Sequence, residues 1–157
     1  MAIPVQRLNH AVLYVRDARR SAAFYTDVFG FEVVDELPNG AAVFLRSPIA
    51  DNHHDLGLFS VGADAVGPTR GQVGLYHLAW QVGSITDLAA AKQTLLDAGA
   101  YRGESDHGVS KSLYGADPDG NEFEVMWAVP ADEWGDYATK AVVQPLDLDG
   151  ELARRRI

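Results

Sequence analysis

Two histidines stand at matching places in a repeated segment. Leu8-Asn9-His10-Ala11-Val12-Leu13-Tyr14-Val15 reappears 67 residues later as Leu75-Tyr76-His77-Leu78-Ala79-Trp80-Gln81-Val82, with histidine third and valine last in each copy. A lone histidine in an apolar strand is ordinarily a satisfied core residue. Two at equivalent places of a repeat read as a pair that pseudo-symmetry brings together, as metal ligands must be. The chain has no cysteine, which excludes disulfides, iron–sulfur clusters and thiol chemistry; a metal would have to be held by His, Asp or Glu. Glu124 follows His77 by 47 residues, in Glu122-Phe123-Glu124-Val125-Met126-Trp127. Strand alternation puts Glu122, Glu124 and Met126 on one face. A carboxylate between large apolar neighbours is costly to bury unpaired, and a cation would compensate it. The symmetric place in the first copy is Gly57, so the repeat supplies His10, His77 and Glu124 but no fourth ligand.

The elements that must position these residues are themselves repeated. Residues 8–15 read as a strand, and Asp17 offers an N-cap for a helix to Phe29, with Ala18, Ala22, Tyr25 and Phe29 on one face and Gly30 as its stop. Residues 31–36 and 41–46 alternate around the turn Pro38-Asn39-Gly40, and a third strand covers 56–61. The second copy repeats the order: a strand over 75–82, a helix from the Ser84 cap to about Ala98 before Gly99, short strands over 101–103 and 111–116, and a last strand over 122–129. The fold class is therefore α+β, two βαβββ modules spanning 6–62 and 75–130 with a Gly- and Pro-containing linker over 63–74. Residues 131–157, with Trp134 and Tyr137, read as a C-terminal tail ending in a short helix, either a lid over the active-site mouth or a subunit contact.

Composition bounds the partners. The chain has 157 residues, 47% hydrophobic and 22% charged, with 13 basic against 22 acidic side chains and a net charge of −9. That balance argues against a nucleic-acid footprint, which needs a basic face. No apolar run approaches the roughly 18 residues of a membrane span, and the first residues lack a signal-peptide core, so the expectation is a cytoplasmic protein without a membrane partner.

Two βαβββ modules with equivalent histidines resemble the vicinal oxygen chelate superfamily, which includes glyoxalase I, bleomycin-resistance proteins and extradiol dioxygenases, over about residues 6–129. The resemblance implies a shared, cupped sheet around a divalent metal, with ligands from the first and last strands of each module. Glyoxalase I-like members carry a carboxylate in each half; Gly57 departs from that. Two histidines and one carboxylate instead make the facial triad of non-haem Fe(II) oxygenases, which leaves positions open for substrate and dioxygen.

The stretch from His107 to Glu124, with Tyr114 and the turn Asp117-Pro118-Asp119-Gly120, resembles the extradiol ring-cleavage signature. Ser105 departs from it where Gly, Asn, Thr, Ile or Val is usual. His54-Asp55-Leu56-Gly57-Leu58 resembles the extradiol His-Asp-x-Ala-Leu/Phe segment, with Gly57 in the place of Ala. The resemblance implies that His54 is the acid–base residue, that His107 hydrogen-bonds the oxygen species or substrate, and that Tyr114 contacts a catechol oxygen. It implies Fe(II), with Mn(II) accepting the same ligands, a small aromatic diol and dioxygen as substrates, and a homodimer or higher oligomer whose second subunit completes the pocket walls. His53 has no role in this reading. Asp55 is expected to serve a turn, and Asn9, Tyr76 and Trp80 either line the pocket or pack beneath it. The rival readings are a non-oxidative isomerase, glyoxalase or thiol transferase using Mn, Ni or Zn, and a metal-free drug-binding protein.

Overall fold

Asp17 caps the first helix by accepting hydrogen bonds from the Arg19 and Arg20 amides, and Gly30 ends it in the left-handed conformation (φ 68°). That helix, α1 (Ala18–Phe29), buries Ala18, Ser21, Ala22 and Tyr25. Phe29, expected on the inner face, is only half-buried at the helix end, while Ser21 joins the buried face. The computed structural model describes residues 2–155. The chain divides into two units, one up to Pro68 and one from Thr69 onward.

In the first unit, β1 (Ala11–Val15), β2 (Glu32–Glu36), β3 (Ala42–Arg46) and β4 (Leu56–Ser60) form a sheet in the order β1-β4-β3-β2. β1 and β4 run parallel; the other neighbours are antiparallel. Leu13, Val15, Val43, Leu45, Leu56 and Leu58 make its core with Tyr25 and Phe31. β1 starts at Ala11, three residues later than the apolar pattern suggests, which leaves His10 on the lead-in to the strand.

The second unit repeats this topology. β5 (His77–Val82), β6 (Tyr101–Asp106), β7 (Ser110–Ala116) and β8 (Glu122–Ala128) pair in the order β5-β8-β7-β6, again with only the first pair parallel. Ser84 caps α2 (Ile85–Asp97) by accepting from the Asp87 amide. Phe123, Val125 and Trp127 of β8 are buried, while Glu122, Glu124 and Met126 alternate with them on the other face. Gly115 has to be glycine: a Cβ there would lie 2.5 Å from the Phe123 ring. β6 runs to Asp106, three residues past its expected end, because it forms a hairpin with β7 rather than a short separate strand.

The segment after Pro130 lies on the second unit. Trp134 donates its indole N–H to the Val129 carbonyl (2.7 Å), Gln144 bridges Asp106, and α3 (Leu148–Arg155) packs beside α2. Among the described residues, no helix is long and apolar enough to cross a membrane.

Candidate metal and catalytic site

In the second unit, the register of β5 on β8 decides what meets. His77 pairs with Glu122 and Ala79 with Glu124, so His77 Nε2 stands 3.1 Å from Glu124 Oε2, with Glu122 Oε1 3.8 Å from Nδ1. The His77 and Glu124 side chains are 24% and 13% exposed, and His77 Nδ1 is buried without a hydrogen-bond partner. Such a half-buried imidazole and carboxylate fit a divalent ion. Two donors held about 2.1 Å from one ion at right angles stand about 3 Å apart.

Antiparallel pairing sets Tyr114 opposite Glu124 and Ser112 opposite Ser105, on the same face. The Tyr114 ring lies 6.0 Å from that of His77. Burial, then the Glu124 charge, pushes the Tyr114 phenol above its ordinary pKa, against the opposing effect of the Ser105 and Ser112 hydroxyls; Tyr114 keeps its proton. His107, in the β6–β7 turn, meets Tyr114 Oη through Nε2 (2.7 Å) and the Val142 carbonyl through Nδ1 (2.9 Å).

The first unit gathers a different group. His10 is exposed, its Nδ1 2.8 Å from Asn9 Oδ1, and its ring lies against that of His54, centroids 4.5 Å apart and tilted by 42°. Phe44 meets His54 edge-on at 5.3 Å. Burial first, then the neighbouring His10 and His53, holds the His54 pKa below its ordinary value, with Asp55 opposing. His54 is therefore a neutral imidazole near pH 7, able to accept a proton. His53, given no role by the sequence, brings Nδ1 to 3.1 Å from His54 Nδ1. Asp55 serves the turn, accepting from the Ser47 amide (2.8 Å).

The six residues singled out by sequence thus fall into two groups: His77, Glu124, Tyr114 and His107 in the second unit, His10 and His54 in the first. Among the described residues, no three His, Asp or Glu side chains gather as a ligand set. Sequence reasoning missed Asn52, whose amide donates to the Asn9 and His54 carbonyls (2.8 and 2.7 Å) and ties the His10 lead-in to the His54 loop. It also missed Ser112, fully buried beside Tyr114, and Val142, whose contribution is a main-chain oxygen that no side-chain pattern reports.

A family model described as the Glyoxalase/Bleomycin resistance protein/Dioxygenase superfamily matches residues 7–125. The chain belongs to this superfamily. Among its relatives, a catechol-2,3-dioxygenase of Bacillus subtilis (strain 168) is 32% identical over 151 residues, 92% of this chain and 50% of that protein. A biphenyl-2,3-diol 1,2-dioxygenase 3 of Rhodococcus globerulus is 37% identical over 122 residues, 76% of this chain and 62% of that one. The chain thus spans about half to three fifths of the length of these relatives. Among solved structures, a glyoxylase/bleomycin resistance protein/dioxygenase domain from Frankia sp. EAN1pec superposes with TM-score 0.66 at 23% identity, covering 80% of this chain and 99% of that one. A lactoylglutathione lyase from Agrobacterium tumefaciens gives 0.58 at 28% identity, covering 80% and 96%. The α+β superfamily fold of two four-stranded mixed sheets is thereby established.

Proposed function

We propose that this superfamily member is an extradiol-type dioxygenase that opens a catechol-type ring beside its two hydroxyls. The observation that carries the reading is the placement of His107, Tyr114, Glu124 and His77 on one region of the second unit, with His107 and Tyr114 already hydrogen-bonded. The names of the relatives support it: both act, by name, on aromatic diols with adjacent hydroxyls.

In this reading His10, His77 and Glu124 hold Fe(II), with Mn(II) as the alternative ion. The ion supplies a centre at which both hydroxyl oxygens of the diol and dioxygen are brought together. The rest is the work of side chains. His54, kept neutral by burial and by two neighbouring imidazoles, accepts a proton from a catechol hydroxyl at a ring nitrogen and returns it later. Tyr114, held protonated, makes a hydrogen bond to a substrate hydroxyl through its phenol oxygen, and His107 orients Tyr114. Ring and dioxygen together account for the product, a ring-opened semialdehyde acid containing both oxygen atoms. Exposed Leu8, Val12 and Tyr14 form apolar surface suited to a second copy of the chain, and the protein is proposed to act as a dimer or larger assembly.

The test is oxygen uptake by protein loaded anaerobically with Fe(II), using simple and bulky catechols and following the yellow product in the same cell. Uptake with yellow product is the expected result. Stoichiometric metal without uptake across that panel would favour a second reading, a non-oxidative metal enzyme, which the 28% identity to the lactoylglutathione lyase supports. Against that reading stands Gly57, where such enzymes by resemblance carry a carboxylate.

A further inference from the structure

His107 is clamped from three sides. Its amide donates to the Ser110 carbonyl (2.9 Å) and its carbonyl accepts from Val109 (2.9 Å), closing the β6–β7 turn. Gly108 holds φ at +75°, donates to Asp106 Oδ1 (2.7 Å), and lies so close to the Tyr137 ring that any Cβ would collide with it. The imidazole then bridges two groups of unequal character. A carbonyl oxygen only accepts, so the Val142 contact requires the hydrogen on Nδ1. A neutral ring with Nδ1–H has a bare lone pair at Nε2, and the 2.7 Å contact there requires Tyr114 to be the donor.

The strand-like segment carrying Val142 is itself fastened. The Asp106 amide donates to the Gln144 carbonyl (2.8 Å), and the Gln144 amide to the Asp106 carbonyl (3.0 Å). Further along, Glu151 of α3 is 5% exposed and faces Lys111 Nζ at 3.4 Å; Lys111 is 6% exposed and also binds Asp106 Oδ1. Arg155 lies over the Trp127 ring (4.5 Å) and pairs with Glu133. Buried opposite charges of this kind tolerate no loose partner. Asp106 joins both ends of the arrangement: its side chain holds Lys111 and Gly108, and its main chain holds Gln144.

We infer that the segment after Pro130 is a positioning element of the site: the Val142 carbonyl selects the Nδ1–H tautomer of His107, so that the Tyr114 hydroxyl hydrogen points to His107 and the Tyr114 oxygen offers its lone pairs to a ligand hydroxyl. The inference rests on the proposed diol reading for the identity of that ligand, a phenolic hydroxyl that donates to Tyr114. It does not depend on that reading for the tautomer. Were Val142 absent, Nε2–H could form and donate to Tyr114, and the phenol hydrogen would turn toward the site and compete with the ligand's own proton. Val142 and its segment act through His107 and touch no substrate themselves.

The experiment is long-range 1H–15N correlation on intact, metal-free protein with 15N-labelled histidines, at a pH where the rings are neutral. The His107 spin system is identified by its loss in His107→Gln. The expected pattern for His107 is a protonated Nδ1 and an unprotonated Nε2. An Nε2–H pattern overturns the inference. The same spectrum of Tyr114→Phe separates the two contacts. Retention of Nδ1–H shows that Val142 sets the tautomer, whereas reversion to Nε2–H assigns it to Tyr114 and overturns the proposal. Because no metal or turnover enters this measurement, its failure is distinguishable from a failure of oxygen uptake.

Discussion

The two units are one scaffold used for different purposes. Val12 pairs with Gly57 in the first and Ala79 with Glu124 in the second, each 45 residues apart on parallel strands. Helix, strand order and direction also match. At the same register position one unit has a carboxylate beside an imidazole, and the other has no side chain at all. The first unit supplies its imidazole from a loop: His54 lies just before β4 begins, its ring tilted against that of His10. The lesson is that the fold offers equivalent positions, while a single residue at each decides whether a carboxylate or a gap stands there.

The comparison can be broken first at its charged end. His77→Ala or Glu124→Ala should abolish stoichiometric metal binding, with far-ultraviolet dichroism unchanged. His54→Asn should keep the metal and cut turnover by about 10²–10⁴-fold, the usual worth of a general acid–base group. Metal content by emission spectroscopy, set beside oxygen-uptake rates, separates the two classes; loss of metal in His54→Asn would overturn the division of labour.

Next comes the buried Lys111–Glu151 pair of the second unit, which has no counterpart among the described residues of the first. Lys111→Ala removes the ammonium shared by Asp106 and Glu151; because Glu151 keeps Arg154 and Arg155 and Asp106 keeps the Gly108 amide, the cost in urea unfolding should be about 1–3 kcal/mol. Two glycines then give an opposite pair of effects. Gly115→Ala drives a methyl group into Phe123 and should destabilise by about 1–3 kcal/mol. Gly57→Ala meets Phe44 and Val12 at 3.5 Å, ordinary contact, and should stabilise by about 0.5–1 kcal/mol by removing glycine's freedom in the unfolded chain. Equal effects at the two sites would show that the units differ less than their packing indicates.

The smallest effect is on pH dependence. The hydrogen bond from Arg155 holds the Glu133 carboxyl below its ordinary pKa of 4.5. The unfolded state therefore binds the proton first on acidification. The contribution to stability is present above 4.5 and is lost as pH falls through the depressed folded value. The melting midpoint of Glu133→Gln should lie below that of the parent near neutrality, and the gap should close in acid.

Much of this architecture was legible because caps and alternation are local. Asp17, Ser84 and Gly30 mark helix ends by their own hydrogen bonds or backbone angles, and β8 alternates without interruption. Strand ends were less legible, since pairing partners rather than propensity set them. β1 begins only where Ala11 donates to the Asp55 carbonyl, and β6 continues to Asp106 because β7 accompanies it. Tyr114 beside Glu124 could be anticipated from spacing. The links of Lys111 to Glu151 and of His107 to Val142 could not, because each joins residues far apart in the chain with no repeated pattern to announce them. Trp134 donates to the Val129 carbonyl and Tyr137 lies against Gly108, contacts that the tail's composition alone does not report.

The parallel pairing of each unit's first and last strands also governs the order of assembly. β5 cannot acquire its neighbour until β8 exists, and closing so long a loop is slow compared with forming the β6–β7 hairpin. During synthesis the segment up to Ser60 can finish its sheet while β8 is still being made. His77 and Glu124 therefore meet among the last events of folding, and a nascent chain cannot bring this imidazole and carboxylate together until its second sheet has closed.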